Sequence, residues 1–272
     1  MIAEDRFTTG APAYAAYLQT VEGRLRLDLA WENLRAFLFD ENETQRAEAR
    51  KRRMRRALDL GGGTGALALR LTAQGFYVAV VDSSATMLEL AKEAARQANM
   101  LDQIDFHQTD AAGTIALFEL GTFDVAVCHN VLEYVPDPGA AVRALSVLLR
   151  TGGIVSLLAR QRAGEVMRHT LKAHDLAAAH RALAEEWATE SLYGGPARVF
   201  DALSLRALAE EDCLEVFAER GVRVIADYLP ASFSETEESY ARLLAFESEL
   251  GARPEFAGVS RYRQVLAQKK TG

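Results

Sequence analysis

From residue 56 onward, short apolar runs alternate with stretches of helical periodicity, the pattern of a mostly parallel sheet covered by helices on both faces. "ALDL" predicts the first strand, followed by a glycine-rich loop and a helix from about Thr64 to Gln74. "GFYVAVVD" predicts a second strand ending in Asp82. The next stretch, "SSATMLELAKEAARQAN", opens with serines able to cap a helix and places Met87, Leu90, Ala91 and Ala94 on one face. A short strand at "IDFHQTD", a strand at "FDVAVCHN", a helix after "PDPGA" and a long buried strand at "TGGIVSLLA" complete five strand–helix steps by residue 160.

The pattern then changes. Residues 163–220 are rich in alanine and glutamate and predict helices, interrupted by "YGGPARV". "GVRVIADY" and "YRQVLAQK" predict two more strands joined by a helix at about 235–250, and the short final connection suits a last strand running antiparallel. In the first 50 residues, Leu25, Leu29, Leu34, Phe37 and Leu38 recur at helical spacing, which predicts helices lying over the open end of the sheet.

Composition narrows the class. With 272 residues, 49% of them hydrophobic, the chain buries a full core. Its N-terminus lacks the basic-then-apolar order of a secretory signal, and no apolar run is long enough to span a membrane, so a soluble cytoplasmic protein is expected. Cys128 and Cys213 lie too far apart for a paired-cysteine motif, and His107, His169, His174 and His180 are not spaced as ligands on one helix face, so no metal is expected. A net charge of −7 argues against a general nucleic-acid coat. One dense basic run stands out, "QRAEARKRRMRRAL", with seven basic residues between Arg46 and Arg56: a solvated helix end or a surface for a polyanion.

The loop "GGGTG" carries the chemistry. Glycines between a strand and a helix let backbone approach a ligand closely, and the helix N-terminus offers free N–H groups. Gly61, Gly63 and Ala66 satisfy the relaxed dinucleotide pattern, and Asp82 sits where a ribose-binding acid belongs. Both NAD and S-adenosylmethionine have such a ribose. Asp59, ending the first strand, would repel a pyrophosphate but attract an ammonium and a sulfonium; alternatively it bonds loop amides.

"LDLGGGTG", Asp82 of "VVDSS", Asp110 of "HQTDAA", "FDVAVCHNVLEYVPDP" and "LLRTGGIVSL" resemble the successive motifs of class I S-adenosylmethionine-dependent methyltransferases. The resemblance implies a Rossmann-like, doubly wound, seven-stranded α/β sheet with an antiparallel last strand. It implies one methyltransferase domain over 1–272, with a helical N-terminal cap at 1–50, a cofactor-binding core at 51–160, a helical insertion at 161–220 and the last two strands at 221–272. Asp110, Ala111 and Ala112 would flank the adenine, and His129 and Asn130 would lie near the sulfonium.

A narrower resemblance covers nearly the whole chain. "EGRLRLDLAWENL", "GVRVIADYLP" and "YARLLAFESELGARPEFAGVSRY" are similar to the tRNA 5-carboxymethoxyuridine methyltransferases, which esterify a carboxylate on a wobble uridine. It implies that Arg26 binds the cofactor through its methionine carboxylate, with Gly61, Gly62, Asp82, Ala111, Ala112 and His129 as further cofactor positions. Gly63, Ser83 and Met87 complete the expected cofactor shell. Those enzymes are lysine-rich ahead of the sixth strand, where this chain reads "EEWATESLYGGPARVFDALS".

The acceptor is then tRNA, bound through the basic run, or a small molecule, and the product is S-adenosyl-L-homocysteine. A carboxylate acceptor needs no base, whereas an amine or hydroxyl would need one, with His129 the candidate by location. For an anionic acceptor the candidate partner is Arg223, ahead of Arg198 and Arg162. Tyr14 and Tyr17 could stack on an acceptor ring, and Glu133 and Tyr134 are expected at the pocket rim. An NAD-dependent oxidoreductase and a non-catalytic cofactor-binding protein are the alternatives from other classes.

Overall fold

The computed structural model describes residues 3–38, 54–190 and 192–270. Most of the basic run, positions 46–53, lies outside the described residues. Strands β1 (Arg55–Leu60), β2 (Phe76–Asp82), β3 (Ile104–Gln108), β4 (Phe123–His129) and β5 (Leu149–Arg160) run parallel. A two-stranded ribbon follows, β6 (Trp187–Thr189) with β7 (Pro196–Arg198), and then β8 (Leu214–Val222) and β9 (Tyr262–Lys269). The main sheet is ordered β3–β2–β1–β4–β5–β9–β8, with β9 antiparallel to both its neighbours. This is the seven-stranded, mostly parallel sheet with an antiparallel last strand that the sequence predicts.

Alternation within the central strands feeds two cores. Leu58, Leu60, Ala79, Val81, Ala126 and Cys128 pack on one face. Ala57, Val78, Val80, Val125 and Val127 pack on the other. Each strand is therefore apolar at nearly every position, as strands covered on both faces must be. Helices α1 (Ala3–Leu18) and α2 (Val21–Leu38) precede the sheet, and α3 (Ala66–Ala73), α4 (Ala85–Gln97) and α5 (Pro138–Leu148) make the crossovers. Ser84 caps α4 by accepting from Met87 N–H, and Asp137 caps α5 ahead of Pro138 by accepting from Ala140 N–H.

The sheet order reverses between β1 and β4, and at such a switch point the loops diverge and leave a crevice beyond the strand ends. Helix α1 roofs that crevice. Helix α2 reaches the crevice with its N-terminal half, through Glu22 and Arg26, while Leu25 and Leu29 meet Tyr240 and Leu243 and, further along, Leu34 and Leu38 join the core face with Leu71 and Leu266. The expectation that the N-terminal helices lie over the open end therefore holds for α1 and for the first half of α2, whose second half packs on the sheet face.

Two further expectations are corrected. "GVRVIADY" is not a strand: β8 ends at Val222, Arg223 takes a φ of +60°, and Ala226–Tyr228 form a 3-10 turn. The cause is Glu247 of α9 (after α6 Arg162–Met167, α7 Leu176–Ala182 and α8 Ala202–Glu210, α9 spans Glu237–Ala252). Its fully buried carboxylate accepts the N–H groups of Val224, Ile225 and Ala226 at 2.6, 2.9 and 2.6 Å, taking the place of a ladder partner. The 163–220 stretch is not all helix either. It holds a π turn at Arg168–Lys172, the β6–β7 ribbon turned by Gly194 and Gly195 at positive φ, and most of β8.

Candidate active site

The crevice opens into a cavity of about 1130 Å³ beyond the ends of β1, β2, β3 and β4. Arg26, Gly61, Gly63, Asp82, Ser83, Met87, Asp110, Ala111, His129, Asn130 and Arg223 all line it. Asp59 and Gly62 instead line a small void of about 40 Å³ beneath the glycine loop, which Arg26, His129 and Asn130 also border. Ala112 lines neither and is exposed at the head of the 3-10 turn Gly113–Leu117. Asp110 spends one carboxylate oxygen on Gly113 N–H at 2.7 Å, which turns the chain away before Ala112 can reach the cavity.

The loop is built by sterics. Gly61 has a φ of +67°, and a Cβ there would overlap Val131 Cγ2, so no other residue fits without strain. Asp82 then ties the loop down: one oxygen accepts Gly63 N–H and the other Ser84 N–H, both at 2.9 Å. Burial pushes the Asp82 carboxyl above its ordinary range.

Two groups of opposite sign lack counter-charges in contact. Arg26 is 8% exposed, and its guanidinium donates to Asn130 Oδ1 at 2.9 Å and Tyr14 Oη at 3.0 Å, both neutral. Among the described residues it has no carboxylate partner. Asp59 is 3% exposed with Oδ2 unpartnered, and burial, reinforced by the charge of Asp82, pushes its carboxyl up to about 7. Arg26 borders both the cavity and the small void and Asp59 the void alone, so a buried cation and a buried acid flank the glycine loop, an arrangement that can hold the two ends of an amino-acid zwitterion.

His129 borders the same small void. Burial, helped by the charge of Arg26, pushes its imidazole down to about 3, so it is neutral at physiological pH. Its Nε2 lies 2.8 Å from Ser156 Oγ, which accepts from Gln264 at 2.9 Å; Gln264 in turn accepts from Asn33 at 2.9 Å. This fixes the ring and leaves it a weak base. Asn130, at a φ of +56°, donates to Glu133, whose same oxygen accepts Arg160 N–H at 2.8 Å.

The far end of the cavity is cationic and aromatic. Arg160 donates to Glu165 at 3.0 Å and also pairs with Glu190, and Arg223 donates to Asp227 at 2.8 Å and to Tyr17 Oη at 2.9 Å. Arg168 and Lys172 reach in from the π turn, and Arg261 from the segment before β9. Tyr134, expected at the rim, and Tyr14 meet Tyr193 at ring-centre distances of 6.0 and 5.8 Å, and Phe7 of α1 meets Tyr193 at 5.1 Å. The other two expected arginines are elsewhere: Arg162 pairs with Asp201 at 3.4 Å, and Arg198 covers Trp187 at 5.0 Å. Arg160 and Tyr262 were missed by sequence reasoning, although they end β5 and begin β9 in direct register, where a strand end at the switch crevice signals a site.

A switch-point cavity floored by a glycine loop, an acid at the end of β2 and an antiparallel last strand defines an S-adenosylmethionine-dependent methyltransferase. The chain belongs to the methyltransferase-domain family, whose profile matches residues 30–218. The tRNA 5-carboxymethoxyuridine methyltransferase of Escherichia coli K12 is 29% identical over 257 residues, covering 92% of this chain and 90% of that one. A ubiquinone biosynthesis O-methyltransferase of Aromatoleum aromaticum is 35% identical over 101 residues, 37% of this chain and 42% of that one. The fold of a SAM-dependent methyltransferase from Thermotoga maritima superposes with a TM-score of 0.64 at 17% identity, covering 98% of this chain and 100% of that one. No helix among the described residues is long and apolar enough to cross a membrane.

Proposed function

We propose that the enzyme methylates a carboxylate carried by a modified wobble uridine of tRNA, in the cytoplasm. The observation that carries this reading is the acceptor end of the cavity, where Arg160, Arg168, Lys172, Arg223 and Arg261 outnumber the Glu165, Glu190 and Asp227 carboxylates they pair with, while His129, the imidazole that lines the cavity among the described residues, is held neutral. An ionised carboxylate is nucleophilic without losing a proton, so such a site needs cations and orientation rather than a base. A hydroxyl, the acceptor type suggested by an O-methyltransferase relative, would need a proton acceptor, and a histidine titrating near 3 has little driving force for that. That relative also matches only 37% of the chain, whereas the tRNA enzyme matches the cap and insertion as well.

The residues fit the cofactor. Arg26 holds its carboxylate, Asp59 lies behind the loop for its ammonium, Asp82 takes the ribose hydroxyls, and Met87 with Asp110 and Ala111 borders the adenine. When bound, S-adenosylmethionine supplies a methyl group already activated by its sulfonium. Asn130 fixes Arg26, Ser156 fixes His129 beside the transfer path, and Arg223 orients the acceptor anion with Tyr17 in support. The aromatic roof of Phe7, Tyr134 and Tyr193 excludes water.

Mass spectrometry of tRNA nucleosides from a strain lacking this gene tests the reading. A missing methyl-ester wobble nucleoside, with its free acid accumulating, supports it. An unchanged nucleoside profile refutes it and leaves a small-molecule acceptor.

A further inference from the structure

Across the π turn lies a second cavity, of about 470 Å³, that the methyl-transfer site does not use. Arg168 lines both cavities, so a single side chain forms part of the partition between them. The other walls come from α7 and the β6–β7 ribbon. Trp187 of β6 lines this cavity and is 46% exposed. Arg198, its direct partner in the ribbon register, lies over the indole at 5.0 Å. An indole left half in water beside a cavity is unused stacking surface, and an arginine already placed on it makes a layered platform.

The charge of the lining selects among ligands. Arg168 and Arg181 are balanced by Glu165 and Glu185, so the cavity offers no net attraction to a phosphate. It does offer a flat apolar wall with donors and acceptors around it: among the described residues the exposed Arg181 side chain makes no hydrogen bond or ion pair, and Thr189 and His169 face the same space. That combination suits a planar, polar, uncharged group. The volume is within the range of small-molecule pockets.

We infer that this cavity holds an unpaired nucleobase neighbouring the acceptor nucleotide, stacked on Trp187, while the acceptor itself enters the main cavity past Arg168. The inference rests on the RNA reading above. Single-stranded RNA is commonly read this way, with unstacked bases splayed onto aromatic and arginine planes.

Tryptophan fluorescence reports the site directly, because the chain has two tryptophans and the other, Trp31, is 7% exposed within the α2 core. The probes are an anticodon stem-loop carrying 5-carboxymethoxyuridine, the free 5-carboxymethoxyuridine nucleoside, and adenosine or uridine monophosphate alone. The stem-loop is expected to quench the emission, and Trp187→Ala is expected to raise its KM about 5- to 150-fold, the equivalent of one stacked base. Turnover of the free nucleoside, which fills only the main cavity, stays unchanged, and Trp187→Phe restores most of the stem-loop KM. Arg181→Gln, an exposed position, gives a smaller rise in the same direction without risk to the fold. No quenching by the stem-loop, or an unchanged stem-loop KM in Trp187→Ala, overturns the inference. Equal quenching by a mononucleotide and the stem-loop also overturns it, in favour of a free-nucleotide site. Quenching by a stem-loop that is never methylated upholds the base subsite and refutes the acceptor assignment instead.

Discussion

Replacing Arg26 by lysine keeps the positive charge but removes the planar fork. Two guanidinium nitrogens are spent on Asn130 and Tyr14, and both partners are neutral, so the remaining donors and the whole charge are available to a ligand carboxylate. A lysine ammonium has three donors at one point, and after Asn130 and Tyr14 only one remains for the ligand. The loss is therefore one charge-assisted hydrogen bond, worth about 1.5–3 kcal/mol. S-adenosylhomocysteine affinity should fall roughly 10- to 150-fold. Calorimetry with two ligands isolates the cause. S-adenosylhomocysteine carries the carboxylate, whereas 5′-methylthioadenosine has the same adenosine and sulfur without it. Arg26→Lys should weaken the first and leave the second nearly unchanged. Equal weakening of both would show that Arg26 acts by packing among Tyr14, Tyr17 and Tyr262 rather than by gripping the carboxylate.

Three other substitutions test neighbouring parts of the site. Asp59 has a folded-state carboxyl raised to about 7 from an ordinary 3.8, so its contribution to stability is present at low pH and lost as pH rises through 7; Asp59→Asn should raise the ligand-free Tm more at pH 8 than at pH 5, while weakening cofactor binding. A Tm gain independent of pH would contradict that burial argument. Gly61→Ala combines left-handed strain with overlap on Val131 and should cost about 2–5 kcal/mol in a denaturant melt, part of it recovered by Val131→Ala in the double variant. Glu247→Ala leaves three backbone N–H groups without their acceptor beside Arg223, and should cost about 3 kcal/mol or more and raise the acceptor KM while S-adenosylhomocysteine affinity is unchanged. A parallel loss of cofactor affinity would show that the turn supports the whole cavity.

The sequence reveals those parts of the fold that are governed by neighbours along the chain. Strands β1 to β5 are legible because burial on both faces makes them continuous apolar runs, and the loop at Gly61 is legible because only glycine suits it. Strand β8 is obscured: Glu215, Glu219 and Arg220 break its apolar pattern, since it is an edge strand with one wet face. Its end is set by Glu247, more than twenty residues later, a contact that no local pattern encodes. Most residues expected at the cofactor line the cavity, but Asp59 and Gly62 border the small void beneath the loop instead, and Ala112, turned outward by the Asp110–Gly113 bond, lines neither. The acceptor side was mostly hidden. Arg160 and Tyr193 owe their positions to Glu190 and to ring contacts with α1, which bring together segments far apart in the chain.

The antiparallel placement of β9 has a consequence for the order of assembly. β8 is synthesised some forty residues before β9, yet among the described residues β9 is its only neighbour in the sheet and separates it from β5. Until β9 inserts, β8 has no ladder to join, Arg223 at its end has no fixed position, and Tyr262 is absent from the cavity wall. The strands that carry the glycine loop, Asp82 and Asp110 can close earlier from contacts nearer in sequence, whereas Arg26 waits for the late segments against which Leu25 and Leu29 of its helix pack. Folding should therefore proceed in two stages, with the strands under the glycine loop formed before the part of the cavity that holds Arg26, Arg223 and Tyr262. Pulse-labelled hydrogen exchange would see protection of Val78–Val81 precede that of Val216–Val222.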